Sequence, residues 1–350
     1  MHNIGNEKEQ ELLKQLRNEG HTIYSISRIN TFNQCQFEYY NTYVNKNRGL
    51  GNCYSEVGSF THDTIEKAYR NEIDIDNFDF AQKLHDKVFE LEIMDIDFPS
   101  ESIKTSFIND MSHFAKTFKK LEGEFTLEKM FITKIGDKYL MGFIDALREH
   151  GENQTDIIDW KTSSKFTGSK LIHAGRQLIV YKLGLEETSG IKIDKVMWNM
   201  LKYIYICHVQ KNGNVKRKMV NRGKLIKEMY DSFQKELLSD GLDEIEVIMT
   251  LDKALETNDF HSLPTSITDK YWLEDCLLEY DVTEDKIEEV KEYILNTIAE
   301  IEDKDTSNID EWKPLNLKKD SFYCNTLCSH REICPFLKEY NKKSKFKSLF

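Results

Sequence analysis

Proline is scarce in this chain, at 4 of 350 residues. That scarcity leaves no Pro-rich linker to mark a domain boundary. Long apolar runs are missing too. Mean hydropathy is −0.58, and no stretch approaches the roughly 20 residues that cross a bilayer. No signal peptide is read at Met1-His-Asn-Ile-Gly-Asn6, and the 7 cysteines are an odd set, so a disulfide framework is not expected. No Gly-x-x-x-x-Gly-Lys-Ser/Thr loop occurs, which excludes a built-in nucleotide motor of that kind. Internal repeats and low-complexity tracts are absent. What is present, 39% hydrophobic and 31% charged, is the composition of a soluble chain long enough to bury a sizeable core.

The net charge of −12 is unevenly placed. Residues 240–311 hold 23 acidic and 5 basic side chains, whereas residues 313–350 hold 3 acidic and 9 basic. The preceding 239 residues balance at 34 of each sign. Basic residues that could meet phosphates are Arg176 and the run Lys216-Arg217-Lys218; a solvated lysine-rich face is the competing reading. Apolar spacing predicts helices over Glu7 to Asn18, Leu225 to Leu238 and Ile287 to Ile301.

The most informative segment is Gly142-Phe-Ile-Asp145 followed by Asp156-Ile-Ile-Asp159-Trp-Lys161. Alternation over Tyr139–Leu147 and Ile157–Lys161, separated by Glu149-His-Gly-Glu-Asn-Gln-Thr155, predicts a β-hairpin. Asp159 and Lys161 then share one face, with Trp160 on the other. If the strands pair, Asp145 lies beside Asp159. Two hard oxygen ligands together suit Mg²⁺ or Mn²⁺. A lysine beside them can orient a water or stabilise a charged transition state in phosphodiester cleavage. A surface ion pair on a strand edge is the plain alternative. Two helical pairs flank the hairpin: His62 with Glu66, and Gln177 with Tyr181, each four apart and so on one helix face. Glu128, ahead of the hairpin, is a further carboxylate that could support the site.

In these blocks the chain resembles the RecB-like branch of the PD-(D/E)XK nuclease superfamily, which includes CRISPR-associated exonucleases and phage recombination nucleases. Ser25–Tyr40 is similar to the opening block and Gly58–Glu66 to the histidine block. Gly142–Asp145 and Asp159–Lys161 are similar to the metal and lysine motifs, and Gln177 with Tyr181 to the Gln-x-x-x-Tyr helix. Gln36 stands where the family usually has Pro, and Asp159 where it often has Glu. The resemblance implies an α/β restriction-endonuclease-like core, a mixed central sheet flanked by helices. It implies His62, Asp145 and Asp159 as metal ligands, Lys161 as catalytic lysine, and Gln177 and Tyr181 as groups ordering DNA or the site.

Cys324-x3-Cys328-x5-Cys334 clusters near the end of the chain, and Cys35 stands in the opening block. By the same resemblance these four ligate a [4Fe–4S] cluster, a staple closing a loop of about 290 residues. Zn²⁺ is the alternative for four thiolates. Cys53, Cys207 and Cys276 read as buried thiols.

The expected organisation is an N-terminal helix over 1–24, a nuclease core over 25–214, an acidic helical insertion over 215–312, and the cysteine segment with a basic tail over 313–350. The expected function is a cytoplasmic, bacterial or phage-encoded exonuclease for single-stranded or resected DNA ends in recombination, repair or phage DNA processing. DNA is its expected partner, with a helicase or recombination protein in trans and no membrane. The alternatives are a DNA-binding or complex-organising module of nuclease fold, and a redox-responsive DNA-binding regulator.

Overall fold

A computed structural model describes residues 6–150 and 154–347. The elements in chain order are α1 (Glu7–Asn18), β1 (Ile23–Tyr24), α2 (Ile26–Gln34), α3 (Gln36–Tyr39), α4 (Cys53–Tyr69), α5 (Phe80–Ile93), α6 (Glu101–Thr117), β2 (Glu124–Ile135), β3 (Lys138–Glu149), β4 (Thr155–Lys161), α7 (Ser169–Ser189), β5 (Ile193–Val209) and β6 (Val215–Asn221). There follow α8 (Leu225–Ser239), α9 (Glu244–Thr257), α10 (Thr265–Thr268), β7 (Tyr271–Glu279), α11 (Glu284–Glu302) and α12 (Pro335–Lys347). Residues 151–153, the tip of the expected hairpin turn, and the tail residues 348–350 lie outside the described set.

All seven strands join one mixed sheet. β2 pairs antiparallel along the length of β3. The other edge of β3 is shared: β1 runs parallel beside Tyr139 and Leu140, and β4 pairs antiparallel from Ala146 to Glu149. β4 continues parallel onto β5 from Thr155 to Lys161. β5 then takes β6 on the half that β4 does not reach, and β7 on its opposite edge.

Both faces are covered, and for that reason β4 reads as a nearly continuous buried run. Side chains alternate between the layers, except that β3 changes sense at Asp145 and sets Ile144 and Ala146 on opposite faces. Ile144, Ile157, Trp198 and Met200 pack with α2, α7 and α11. Ala146, Ile158, Trp160, Met197 and Leu201 pack with α4, α5 and α6. A third cluster joins α8 and α9 to the far half of β5 through Ile204, Ile206 and Phe233. Among the described residues no helix is long and apolar enough to cross a membrane.

Two segments differ from expectation. Residues 215–312 are not a helical insertion throughout. β6 and β7 lie in the sheet, and Val290, Ile294 and Ile298 of α11 belong to the main core. An acidic strand can sit there because its carboxylates meet arginines: Glu274 lies 2.8 Å from Arg217, and Asp275 2.6 Å from the buried Arg222. Nor do the described residues of the expected 1–24 segment form a helix apart, and residues 1–5 lie outside the described set. α1 lies on β2, with Leu16 against Met130 and Ile132 and Glu9 paired to Lys129 at 2.8 Å, and Ile23–Tyr24 is a strand of the sheet. The expected basic tail continues α12 as helix to Lys347, opened by Pro335 at a position where proline suits a helix start.

Candidate active site

β3 and β4 separate just beyond the pair Ala146–Ile158, so Asp145 and Asp159 face each other across the point where the ladder opens. The Trp160 amide donates to Oδ2 of Asp145 at 2.9 Å instead of to a strand carbonyl. The splay therefore has a defined cause: a carboxylate replaces a ladder acceptor, and the two aspartates and Lys161 line the gap. Trp160 turns the other way and stacks against Tyr69, with the His62 ring at its edge.

α4 brings the histidine. The helix starts at a capping box in which the Asn52 side chain accepts from the Ser55 amide and Ser55 returns a bond. His62 lies more than two turns on, its Nδ1 3.5 Å from Oδ2 of Asp145. Gly58, one turn earlier, allows the helix to approach the end of β4: a Cβ there would lie 3.2 Å from Thr162.

α7 brings the amide and the phenol. The Phe131 ring fills a slot between Gly142 on β3 and Gly184 on α7, and a Cβ on either glycine would collide with it. The helix thus lies close enough for Gln177 to accept from Lys161 Nζ at 3.2 Å and to donate to the Tyr181 hydroxyl at 2.6 Å. Lys161 Nζ also lies 2.6 Å from Oδ2 of Asp159. Apart from that ion contact, this buried oxygen takes no hydrogen bond.

The electrostatics follow from crowding carboxylates in a desolvated gap. Burial pushes Asp159 up to about 6, against the pull of Lys161 and helped by Asp145. Burial pushes Lys161 down, but Asp159 and Asp145 outweigh it, so the ammonium stays protonated. Tyr181 is raised by burial and then by Asp159 and Asp145, and stays a phenol.

Two further carboxylates stand in the group. Glu128 stands directly opposite Asp145: Leu127 pairs with Ala146 and Lys129 with Ile144, so the register is unbroken and the Glu128–Asp145 pair alone drops out of the ladder. Its φ is +51°, a left-handed backbone that costs a non-glycine residue roughly 1–2 kcal/mol. Glu66 lies beside it. Burial, then Glu66 and Asp145, push Glu128 up to about 7. Glu66 is raised by burial, against Arg70 at 3.2 Å.

The candidate phosphate contacts divide between α7 and β6. Arg176 is bound to Glu289 at 2.6 Å and lies 3.6 Å over the Tyr293 ring. Arg217 pairs with Glu274, Lys218 donates to the Glu228 carbonyl, and Lys216 is exposed. These last three lie on β6, beyond the reach of β4.

The four cysteines come from both ends of the chain to one place. Burial raises the Cys35, Cys324 and Cys328 thiols, and the neighbouring cysteines raise Cys324 and Cys328 further; Cys324 reaches about 11. Glu38 reaches into the group, accepting from the Tyr323 hydroxyl at 2.6 Å and from the Ser329 amide at 3.2 Å. No sequence signal singles out Glu38, one acid in an aromatic run. The segment also buttresses α4: Asn52 Nδ2 donates to the Leu327 carbonyl at 3.0 Å, and Arg331 to the Gly51 carbonyl. Among the described residues the compact set of ligand atoms within 4.8 Å of one another is a different one, His150, Asp156 and Asp194 at the opposite end of β4. There Arg148 lies 2.6 Å from Asp156 and already answers its charge.

The family model of the PD-(D/E)XK nuclease superfamily matches residues 23–335. No curated protein matches the chain. The chain therefore belongs to the PD-(D/E)XK nuclease superfamily, whose members are metal-dependent nucleases that hydrolyse phosphodiester bonds with Mg²⁺ or Mn²⁺.

Proposed function

We propose that this protein is a DNA exonuclease of the RecB-like branch, acting on single-stranded or resected ends in recombination, repair or phage DNA processing. The carrying observation is the gap between β3 and β4, where Asp145, Asp159, Lys161, His62, Gln177 and Tyr181 converge from two strands and two helices.

The residues present fit a hard divalent cation. Asp159 offers a buried carboxylate whose Oδ2 lies 2.6 Å from Lys161 Nζ. Asp145 and His62 stand beside it, and the charge of the gap is net negative. Asp145, Asp159 and His62 would hold Mg²⁺ or Mn²⁺, which supplies an activated water and neutralises phosphate charge. Lys161, kept cationic, would stabilise charge developing on the oxygens of a bound phosphate. Gln177 fixes the direction of the ammonium, and the Tyr181 hydroxyl fixes the amide of Gln177.

At the cysteines we propose a [4Fe–4S] cluster on Cys35, Cys324, Cys328 and Cys334. The convergence of mutually interacting thiols supports a soft metal group. The ligands are one distant cysteine and a widely spaced three, not the two short Cys-x-x-Cys pairs usual for zinc, which favours a cluster over Zn²⁺. The cluster would tie Cys35 to the segment that braces the start of α4, and so hold His62 in register. A helicase or recombination partner in trans, in a bacterial or phage setting, is part of the same reading.

The test is cleavage of end-labelled single- and double-stranded DNA by anaerobically purified protein with Mn²⁺, Mg²⁺ or EDTA, beside Lys161→Ala. Metal-dependent release of label, lost in the variant, is the expected result. No cleavage by protein that keeps its cluster absorbance would reject a standalone nuclease.

A further inference from the structure

The left-handed backbone that turns Glu128 toward Asp145 does not hold itself. Its flanking backbone groups are satisfied by one side chain, that of Asn6. Nδ2 of Asn6 donates to the Glu128 carbonyl at 2.9 Å, and Oδ1 accepts from the Met130 amide at 3.0 Å. Asn6 is 3% exposed. It stands at the N-cap of α1, where an asparagine side chain ordinarily accepts from its own helix, yet here it makes no capping bond. Both its polar atoms are spent on β2. α1 is fastened over the same strand by Leu16 and by the Glu9–Lys129 ion pair.

That left-handed residue has a directional result. A regular strand carrying Leu127, Glu128 and Lys129 would continue the alternation and pair Glu128 across the ladder. The left-handed backbone at Glu128 breaks that alternation without changing the register and sends the carboxylate to Glu66 and Asp145. Strained backbone persists where surrounding structure over-determines it, and such residues cluster at functional sites.

We propose that Glu128 is a working carboxylate of the cation site beside Asp145, and that Asn6 is the positioning residue that aims it. This rests on the nuclease reading and assigns α1 to the catalytic apparatus.

The experiment uses the full chain, purified anaerobically. Mn²⁺ affinity is read from the electron paramagnetic resonance of free Mn²⁺, and the Mn²⁺ concentration for half-maximal cleavage is read beside it. The variants are Glu128→Gln, Glu128→Gly, Asn6→Ala, the Asn6→Ala/Glu128→Gln double, and Asp145→Asn. Glu128→Gln and Asn6→Ala are each expected to weaken Mn²⁺ binding about tenfold, the scale for losing a group that supports a metal site. The double variant should be no weaker than Glu128→Gln alone, because Asn6 acts through Glu128. Glu128→Gly relieves the left-handed strain and should lose Mn²⁺ affinity while melting no lower than the parent. Parent-like Mn²⁺ affinity in Glu128→Gln would overturn the proposal. So would an Asn6→Ala protein that melts lower with unchanged affinity, or losses that add in the double. Parent-like affinity in Asp145→Asn would instead reject the cation site itself.

Discussion

The two ends of β4 carry the same pair of charges and come to opposite uses. At its start Asp156, fully buried, meets Arg148 at 2.6 Å and His150 at 2.8 Å. At its end Asp159, 1% exposed, meets Lys161 at the same 2.6 Å. Burial and ion-pair distance do not separate them; what surrounds the pair does. Around Asp156 the buried carboxylate has the guanidinium of Arg148 as its partner, and the neighbouring carboxylate, Asp194, is exposed. Around Asp159 stand Asp145, Glu128 and Glu66 as well, against Lys161 and Arg70. A buried ion pair is ordinary fold chemistry. A buried excess of carboxylates destabilises the bare fold and is relieved by a bound cation, so the imbalance marks the site.

Perturbing each end in turn sharpens this contrast. Asp145→Asn or Asp159→Asn should lower metal-dependent cleavage by about 10²–10³-fold, the scale for losing one charge-stabilising group. Arg148→Met should leave cleavage per folded molecule unchanged, measured as kcat on labelled DNA. Cys328→Ala should bleach the cluster absorbance and cost roughly 3–5 kcal/mol in denaturant unfolding, by analogy with other cross-links over long loops. Arg148→Met strands the buried Asp156 and should cost about 3 kcal/mol in the same experiment.

The smallest effect is a pH dependence of opposite sign to that of a salt-bridged acid. Asp159, near 6, and Glu128, near 7, titrate above their unfolded values of about 4. Their contribution to the cation-free fold is fully present below about pH 4 and is lost as pH rises through 6 to 7. Melting of EDTA-treated protein should therefore fall across that window beyond what the rest of the chain shows. Asp159→Asn should flatten the fall and stabilise the cation-free protein at pH 8 by about 1–2 kcal/mol. A parent and variant with parallel melting profiles would remove this account of the site's charge.

Much of the contrast is legible in the amino-acid sequence. Alternation over Tyr139–Leu147 and Ile157–Lys161 marks the hairpin, and four-residue spacing pairs Gln177 with Tyr181, because both periods are local. Features that depend on distant partners are not legible. β7 is hidden because its carboxylates Glu274 and Asp275 look like a solvated acidic helix until Arg217 and Arg222 arrive from distant sequence. Glu128 can be noted as a nearby carboxylate, but its direction depends on a left-handed backbone that alternation does not reveal. The role of Asn6 depends on a contact across 122 and 124 residues. Arg176 reads as free to meet phosphate, yet Glu289 and Tyr293 of α11 claim it.

The most direct measurement is the anomalous scattering of Mn²⁺ in crystals of the full chain. The account expects a peak between Asp145 and Asp159, with His62 beside it and density reaching toward Glu128. A Mn²⁺ peak at His150, Asp156 and Asp194 with none in the gap between β3 and β4 would contradict it.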